Sequence, residues 1–249
     1  MNDWINFLNE LEIARKRLSI THHTPWYRGL NDSNHELIPK LFRKPKKDHR
    51  RIEREIYHRF LYVLSLEDQN YVERNMSWHI IVKMQHHGTP TRLLDWTDSF
   101  AVALFFALQS DDHEPESPCI WVANPYLLSA KAKKNDDKWL EALHLSPEYD
   151  YYRCFVAQEE AEWPFESPLP FLPPTPTARI IAQRGFFTVH GLDDRPLEVQ
   201  CPKHVIKLNI PRTVWEDARK FLELAGCDRQ SLFPDIGGFS VDVQKTYLD

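Results

Sequence analysis

Apolar residues recur along this chain with two periods, and the alternation between them sketches a mixed helix and strand protein. Trp4, Ile5, Leu8, Leu11, Ile13 and Leu18 fall at helical spacing among polar residues, which predicts an amphipathic helix over residues 3 to 17. Thr24-Pro25-Trp26-Tyr27-Arg28-Gly29 predicts a short strand ending on a glycine, followed by a polar turn through Asn31 to Asn34. Helical spacing returns in residues 51 to 67, through Ile52, Ile56, Phe60, Leu61, Val63 and Leu64, and in Trp78 to Gln85. Phe100 to Leu108 is apolar all round and follows Thr97-Asp98-Ser99, good helix-capping residues, so it reads as a buried helix. Cys119 to Ala123, Arg179 to Gln183, Gly185 to Val189 and Val205 to Ile210 have strand composition, and the last alternates cleanly. Six prolines between residues 164 and 176 predict an extended, irregular connection, Thr213 to Leu224 a late amphipathic helix, and Leu232 to Gly238 a turn before the tail. The pattern is α+β: one elaborated domain around a central, mostly antiparallel sheet, with a helical N-terminal part.

Composition narrows this picture. At 249 residues the chain sits near the upper limit that one hydrophobic core serves, and 42% apolar with 27% charged residues is a globular composition. A formal charge of -5 removes the global attraction on which nonspecific nucleic-acid binders depend, leaving the basic stretch from Lys40 to Arg54 as the local patch a polyanion could use, or as a solvated loop leading into a helix. No apolar run approaches the roughly 18 to 20 residues of a membrane helix, and Met1-Asn2-Asp3-Trp4 lacks the charged and apolar regions of a signal peptide, so a cytoplasmic location with no membrane partner is expected. Cys119, Cys154, Cys201 and Cys227 are far apart and form no C-x-x-C pair, as expected of reduced thiols that are buried or inert.

The densest chemical signal is Met84-Gln85-His86-His87-Gly88-Thr89-Pro90-Thr91-Arg92-Leu93-Leu94-Asp95-Trp96-Thr97, where strong hydrogen-bonding side chains crowd in immediately before the apolar helix. Polar groups carried toward a core need partners, and two readings are open: a ligand site, in which the N-terminus of the following helix can also receive an anion, or an internal Arg92–Asp95 ion pair with Thr97 or Asp98 capping that helix. His86 and His87 are adjacent and point apart in regular structure, and no further metal ligands stand at suitable spacing, so no metal is expected. Arg28 is either a bidentate clamp for phosphate or carboxylate or the partner of Asp95; both place it beside the second motif. Gln183 and Arg184 before Gly185 bring polar groups to a strand end. Glu159, Glu160 and Glu162 read as a solvated face, and Asp235 as a turn residue first and a catalytic carboxylate second. No G-x-S-x-G, phosphate loop or G-x-G-x-x-G occurs.

At these residues the chain resembles the FRG-domain family, named for a Phe-Arg-Gly motif that here reads Tyr27-Arg28-Gly29. Gln85 to Ala107 resembles its Gln-His-His/Tyr-Gly, Pro-Thr-Arg-Leu-Leu-Asp-Trp-Thr and apolar helix pattern; Gln183 to Thr188 and Leu232 to Asp235 resemble later elements. The resemblance runs from about residue 24 to residue 238, and divides the chain into an N-terminal helix over 1–20 and an FRG domain over 21–249. It implies a protein of bacteria or their phages, in a defence or toxin system. The order of elements is also similar to that of ADP-ribosyltransferases, in which an arginine or histidine on the first core strand holds NAD, a later loop braces the nicotinamide ribose, and a glutamate orients the acceptor. Carried over, Arg28 meets the phosphate or ribose, and Asp95 to Thr97 brace the nicotinamide side. Asp95 or Asp235 then stabilises developing positive charge. Tyr27, Gly29, Gln85, His86, His87, Thr89, Arg92, Trp96 and Thr97 complete the implied NAD-binding set, with a nucleic acid or protein as acceptor. Gln183 stands where the usual glutamate is expected. The competing reading is a non-catalytic module that binds nucleic acid or protein, with Arg28, Arg92 and the Lys40 to Arg54 stretch on phosphates and Trp26, Trp78 and Trp96 stacking on bases.

Overall fold

The computed structural model describes residues 2–20, 24–44, 48–67, 76–109, 114–134, 139–157, 162–174 and 177–247. Lys46, Lys47, Glu159, Glu160 and Pro176 lie outside them. The core is one antiparallel sheet of six strands, β1 (Trp26–Leu30), β2 (Leu93–Thr97), β3 (Cys119–Ala123), β4 (Leu169–Phe171), β5 (Gly185–Val189) and β6 (Val205–Asn209), in the order β4-β5-β2-β1-β3-β6. The earliest two strands occupy its centre. The helices are α1 (Asn2–Arg17), α2 (His49–Glu67), α3 (Ser77–His86), α4 (Phe100–Leu108), α5 (Pro125–Lys133), α6 (Ala178–Ala182), α7 (Leu197–Gln200), α8 (Trp215–Leu224), α9 (Arg229–Leu232) and α10 (Ile236–Tyr247).

Paired residues of an antiparallel ladder share a face, so the register sorts the core. Tyr27, Ile120 and Val122 share one face and pack with α1, α4 and α8, while Leu93, Phe187 and Val189 on that same face pack with α2 and α3. Two helical groups therefore sit side by side on one face, over opposite halves of the sheet. Trp26, Leu94, Trp96, Trp121 and Ala123 fill the other face with Leu128 of α5 and Leu197 of α7. Between the two helical groups, above the central strands, lies the cavity described below.

The N-terminal helix, the helices over α2, α3 and α4, and strands β1, β3, β5 and β6 stand where the periodicity places them. Other elements differ from the sequence expectation for identifiable reasons. Arg179 to Gln183, expected as a strand, forms α6: Thr177 caps it by accepting from the Ile180 amide at 3.2 Å, and only Ile180 of the β-branched pair is buried. The proline-rich connection contains β4, and Pro170 is tolerated because β4 is an edge strand. The second motif, for which no strand is expected, divides into the end of α3 and strand β2. Beyond the turn at residues 232–235 the tail is helical, as α10. Ser99, and neither Thr97 nor Asp98, caps α4, accepting from the Val102 amide at 3.4 Å. Asp98 instead pairs with Arg184 at 2.5 Å, which leaves Arg184 at the surface. Trp26, Trp78 and Trp96 are all buried, which removes them as an exposed stacking platform. The cysteines are free thiols, three of them buried, and no described helix is long and apolar enough to cross a membrane.

Glycine is required where β1 meets α4. A Cβ on Gly29 would stand 2.7 Å from the Ala107 amide nitrogen and overlap the Ala103 carbonyl oxygen, so β1 and the small-residue stripe of α4 touch backbone to backbone. The glycine of the Tyr27-Arg28-Gly29 motif thus serves packing.

Candidate functional site

The sheet is split at its centre. β1 pairs with β3 over five residues and β2 with β5 over five, yet β1 and β2 meet only at Tyr27 and Thr97. Alternation places Arg28 on the face of Trp26 and Asp95 on the face of Leu93, so contact between them requires the strands to part. They do part, and the Arg28 guanidinium occupies the gap. Its Nη1 donates to the Asp95 carbonyl at 2.7 Å and approaches a carboxylate oxygen at 3.5 Å. The side chain is only 15% exposed, and its buried Nε has no partner. Burial lowers the guanidinium pKa, against the pull of Asp95 and with the repulsion of Arg43. A buried cation with an unpaired donor is costly unless something completes its bonds.

Around Arg28 opens a cavity of about 500 Å³, walled by both central strands, the C-terminal half of α3, the Val102, Ala103 and Phe106 side of α4, and α6 with the start of β5. That volume lies within the roughly 300–1,000 Å³ of small-molecule sites. Phe106, Leu93 and Phe187 supply apolar surface, and Lys40, Arg43 and Arg179 add cations. Asp95 is held at the floor by a relay. Thr91 donates to Gln85, and Gln85 donates from Nε2 to the Asp95 carboxylate at 2.9 Å, which leaves that side chain 53% exposed to the cavity. Thr91 is itself pinned by accepting from the Leu93 amide at 3.1 Å. Gly88 turns the chain out of α3 with φ +70, and Lys40 donates to its carbonyl at 2.6 Å.

Of the residues singled out by sequence, Tyr27, Arg28, Gly29, Gln85, His86, Thr89, Asp95, Trp96, Thr97 and Gln183 line this one cavity. Thr97 donates to the Gln183 carbonyl at 2.8 Å, tying β2 to the end of α6, while the Gln183 amide donates to the Leu232 carbonyl at 3.1 Å. Three residues stand elsewhere. His87 is exposed, its ring 6.2 Å from that of Phe60. Asp235 is outside the lining: one carboxylate oxygen accepts from the Gly238 amide at 2.8 Å, and the other is buried, unpartnered and 3.9 Å from Nε2 of His86. Arg92 points away into the core, so the Arg92–Asp95 pair does not form.

Arg92 instead joins Glu53 of α2 in a buried ion pair, with Nε donating at 2.7 Å, and Nη1 donates to the carbonyls of His190 and Gly191 at 2.8 and 2.6 Å. Tyr151 donates to the same carboxylate, and the Phe155 ring lies 3.7 Å beneath the guanidinium. Burial opposes the charge on Arg92, but Glu53 outweighs it and the net shift is upward. Every face of this arginine is occupied. The two arginines of the motifs therefore divide the work: Arg92 joins α2 to the sheet, and Arg28 faces a cavity with donors to spare.

Sequence reading did not isolate Arg179, Phe106 or Phe186, and saw Lys40 and Arg43 only as members of a charged stretch. Phe106 and Phe186 lie inside the quoted motifs and Arg179 just before one, but nothing in the sequence marked them as cavity residues. Among the described residues no group of three or more histidine, cysteine or acidic side chains could hold a metal ion.

The fold and cavity define a mixed α/β domain with a split sheet and an arginine–carboxylate site at the split. Residues 23–116 match the FRG domain, so the chain carries an FRG domain over β1, α2, α3, β2 and α4. The remaining strands, β3 to β6, complete the same sheet. No curated protein and no solved structure matches the chain.

Proposed function

We propose that this protein consumes NAD, as an ADP-ribosyltransferase or an NAD glycohydrolase, at the cavity between β1 and β2. The observation that carries the reading is Arg28: a nearly buried guanidinium on the first strand, with an unpaired Nε, 3.5 Å from a half-exposed carboxylate. An arginine with free donors recognises a phosphate or pyrophosphate through a planar fork. Lys40, Arg43 and Arg179 around the same space favour that anion further. Apolar surface beside them suits a flat heteroaromatic ring. Asp95, fixed by Gln85, stands where positive charge on a ribose carbon is stabilised as a glycosidic bond breaks. Gln183, in place of a glutamate, contributes no base, because a carboxamide is not basic, and its nitrogen is held by the Leu232 carbonyl.

The test is nicotinamide release from NAD by the purified protein, alone and with DNA, RNA or cell extract, beside Arg28→Met. Release that disappears in the variant supports the reading. Absence of release under every condition, with no NAD-induced rise in melting temperature, overturns it in favour of a binding module.

A further inference from the structure

Asp235 is well placed to act on the cavity without entering it. It lies in the turn between α9 and α10, where its first carboxylate oxygen is fixed by the Gly238 amide. The second oxygen is buried and lacks a donor, and faces Nε2 of His86 at 3.9 Å. His86 is the last residue of α3, lines the cavity, and directly follows Gln85, which holds Asp95. We propose that His86 is the general base that deprotonates a hydroxyl or water acceptor, and that Asp235 is its positioning residue; this rests on the NAD reading above.

The charges around the ring suit that role. Burial lowers the His86 pKa, joined by Arg179 of α6 and by His87 and Lys83 of its own segment, while Asp235 raises it. The resting imidazole is therefore neutral near pH 7, as a base must be. With its Nε2 proton toward the otherwise unpartnered oxygen of Asp235, the neutral ring keeps the Nδ1 lone pair as the base, and closing roughly 1 Å on protonation makes the Nε2 contact a charge-assisted hydrogen bond. A base oriented by a carboxylate is the general arrangement for activating a weak nucleophile. In the step, an oxygen lone pair of the acceptor forms the bond to the ribose C1′ as the C1′–nitrogen bond breaks. The electron pair of that bond stays with nicotinamide, which departs neutral. The acceptor proton passes to Nδ1 of His86, so the positive charge first carried by the pyridinium ends on an imidazolium whose Nε2 faces Asp235. A carboxylate acceptor would need no such base, so the pair points to hydroxyl groups or water.

Asp235→Asn retains an oxygen for the Gly238 amide and removes only the charge. Histidine side-chain NMR titration of the unliganded protein should show the His86 pKa lowered by about 1 unit in this variant. The acid limb of kcat against pH should move down with it, and kcat should fall with KM for NAD unchanged. His86→Gln should lose about 10²- to 10⁴-fold in kcat while still binding NAD. A His86 titration indifferent to Asp235→Asn overturns the pairing, and full turnover by His86→Gln overturns the base; in both cases wild-type release leaves the NAD reading standing. A wild-type protein that releases no nicotinamide overturns the reading beneath and the base with it.

Discussion

Replacing Arg92 and Arg28 in turn by methionine should have opposite consequences, although both arginines belong to motifs of the same domain. Arg92 is 3% exposed and its partner Glu53 2%, with Tyr151 and two backbone carbonyls completing the network. Arg92→Met leaves the Glu53 carboxylate buried without its counter-charge and two carbonyls without a donor, a loss of about 3–5 kcal/mol. In a chain of 249 residues this lowers the melting temperature by roughly 6–20 °C. Arg28 has one short bond, to a carbonyl, and one long contact with a half-exposed carboxylate, so Arg28→Met should cost about 1 kcal/mol or less. Urea unfolding of both variants, with NAD-induced thermal shift measured on each, gives the comparison. Adding Glu53→Met to Arg92→Met should cost less than the sum of the single changes, because neither group is then left unpaired. An Arg92→Met protein as stable as wild type but unable to respond to NAD would refute the division of roles.

Gly29→Ala should cost at least about 3 kcal/mol in urea unfolding, since the new methyl group meets α4 backbone that cannot move aside alone. Thr91→Val keeps its shape but frees Gln85; nicotinamide release should fall about tenfold with about 1 kcal/mol of stability lost, whereas equal activity would show that Asp95 needs no bracing. His190 is fully buried with neither ring nitrogen bonded, and burial, followed by Arg92, brings its pKa down to about 3. The unfolded chain takes up that proton near pH 6.5, so the stability of the neutral, folded form is present above that pH and lost as pH falls toward 3. This site contributes up to about 1.4 kcal/mol per pH unit, and His190→Phe should flatten the acid side of a stability profile by that slope.

Much of this architecture was legible from the chain because its elements are locally consistent. The apolar run from Phe100 to Leu108 could only be a buried helix, and the clean alternation from Val205 could only be a strand. Strand β2 escaped because the residues that make it useful, Asp95 and Thr97, are polar where an ordinary central strand would be apolar. The helix at Ala178–Ala182 escaped because two isoleucines outweighed a threonine cap, and β4 because prolines hide an edge strand. Within the site, adjacency carried the reading of Arg28 with Gln85 to Thr97. It could not separate Arg28 from Arg92, whose fates depend on Glu53 and on the parting of β1 from β2, both tertiary facts. Nor could it link Asp235 to His86, which meet only after α9 folds back against α6.

Calorimetric titration of NAD into the unmodified protein and into Arg28→Met asks whether the Arg28 cavity holds NAD. One site per chain is expected, weakened about 10- to 100-fold in the variant by loss of charge-assisted hydrogen bonds to phosphate. No heat of binding in the unmodified protein, or equal affinity in the two, would contradict it.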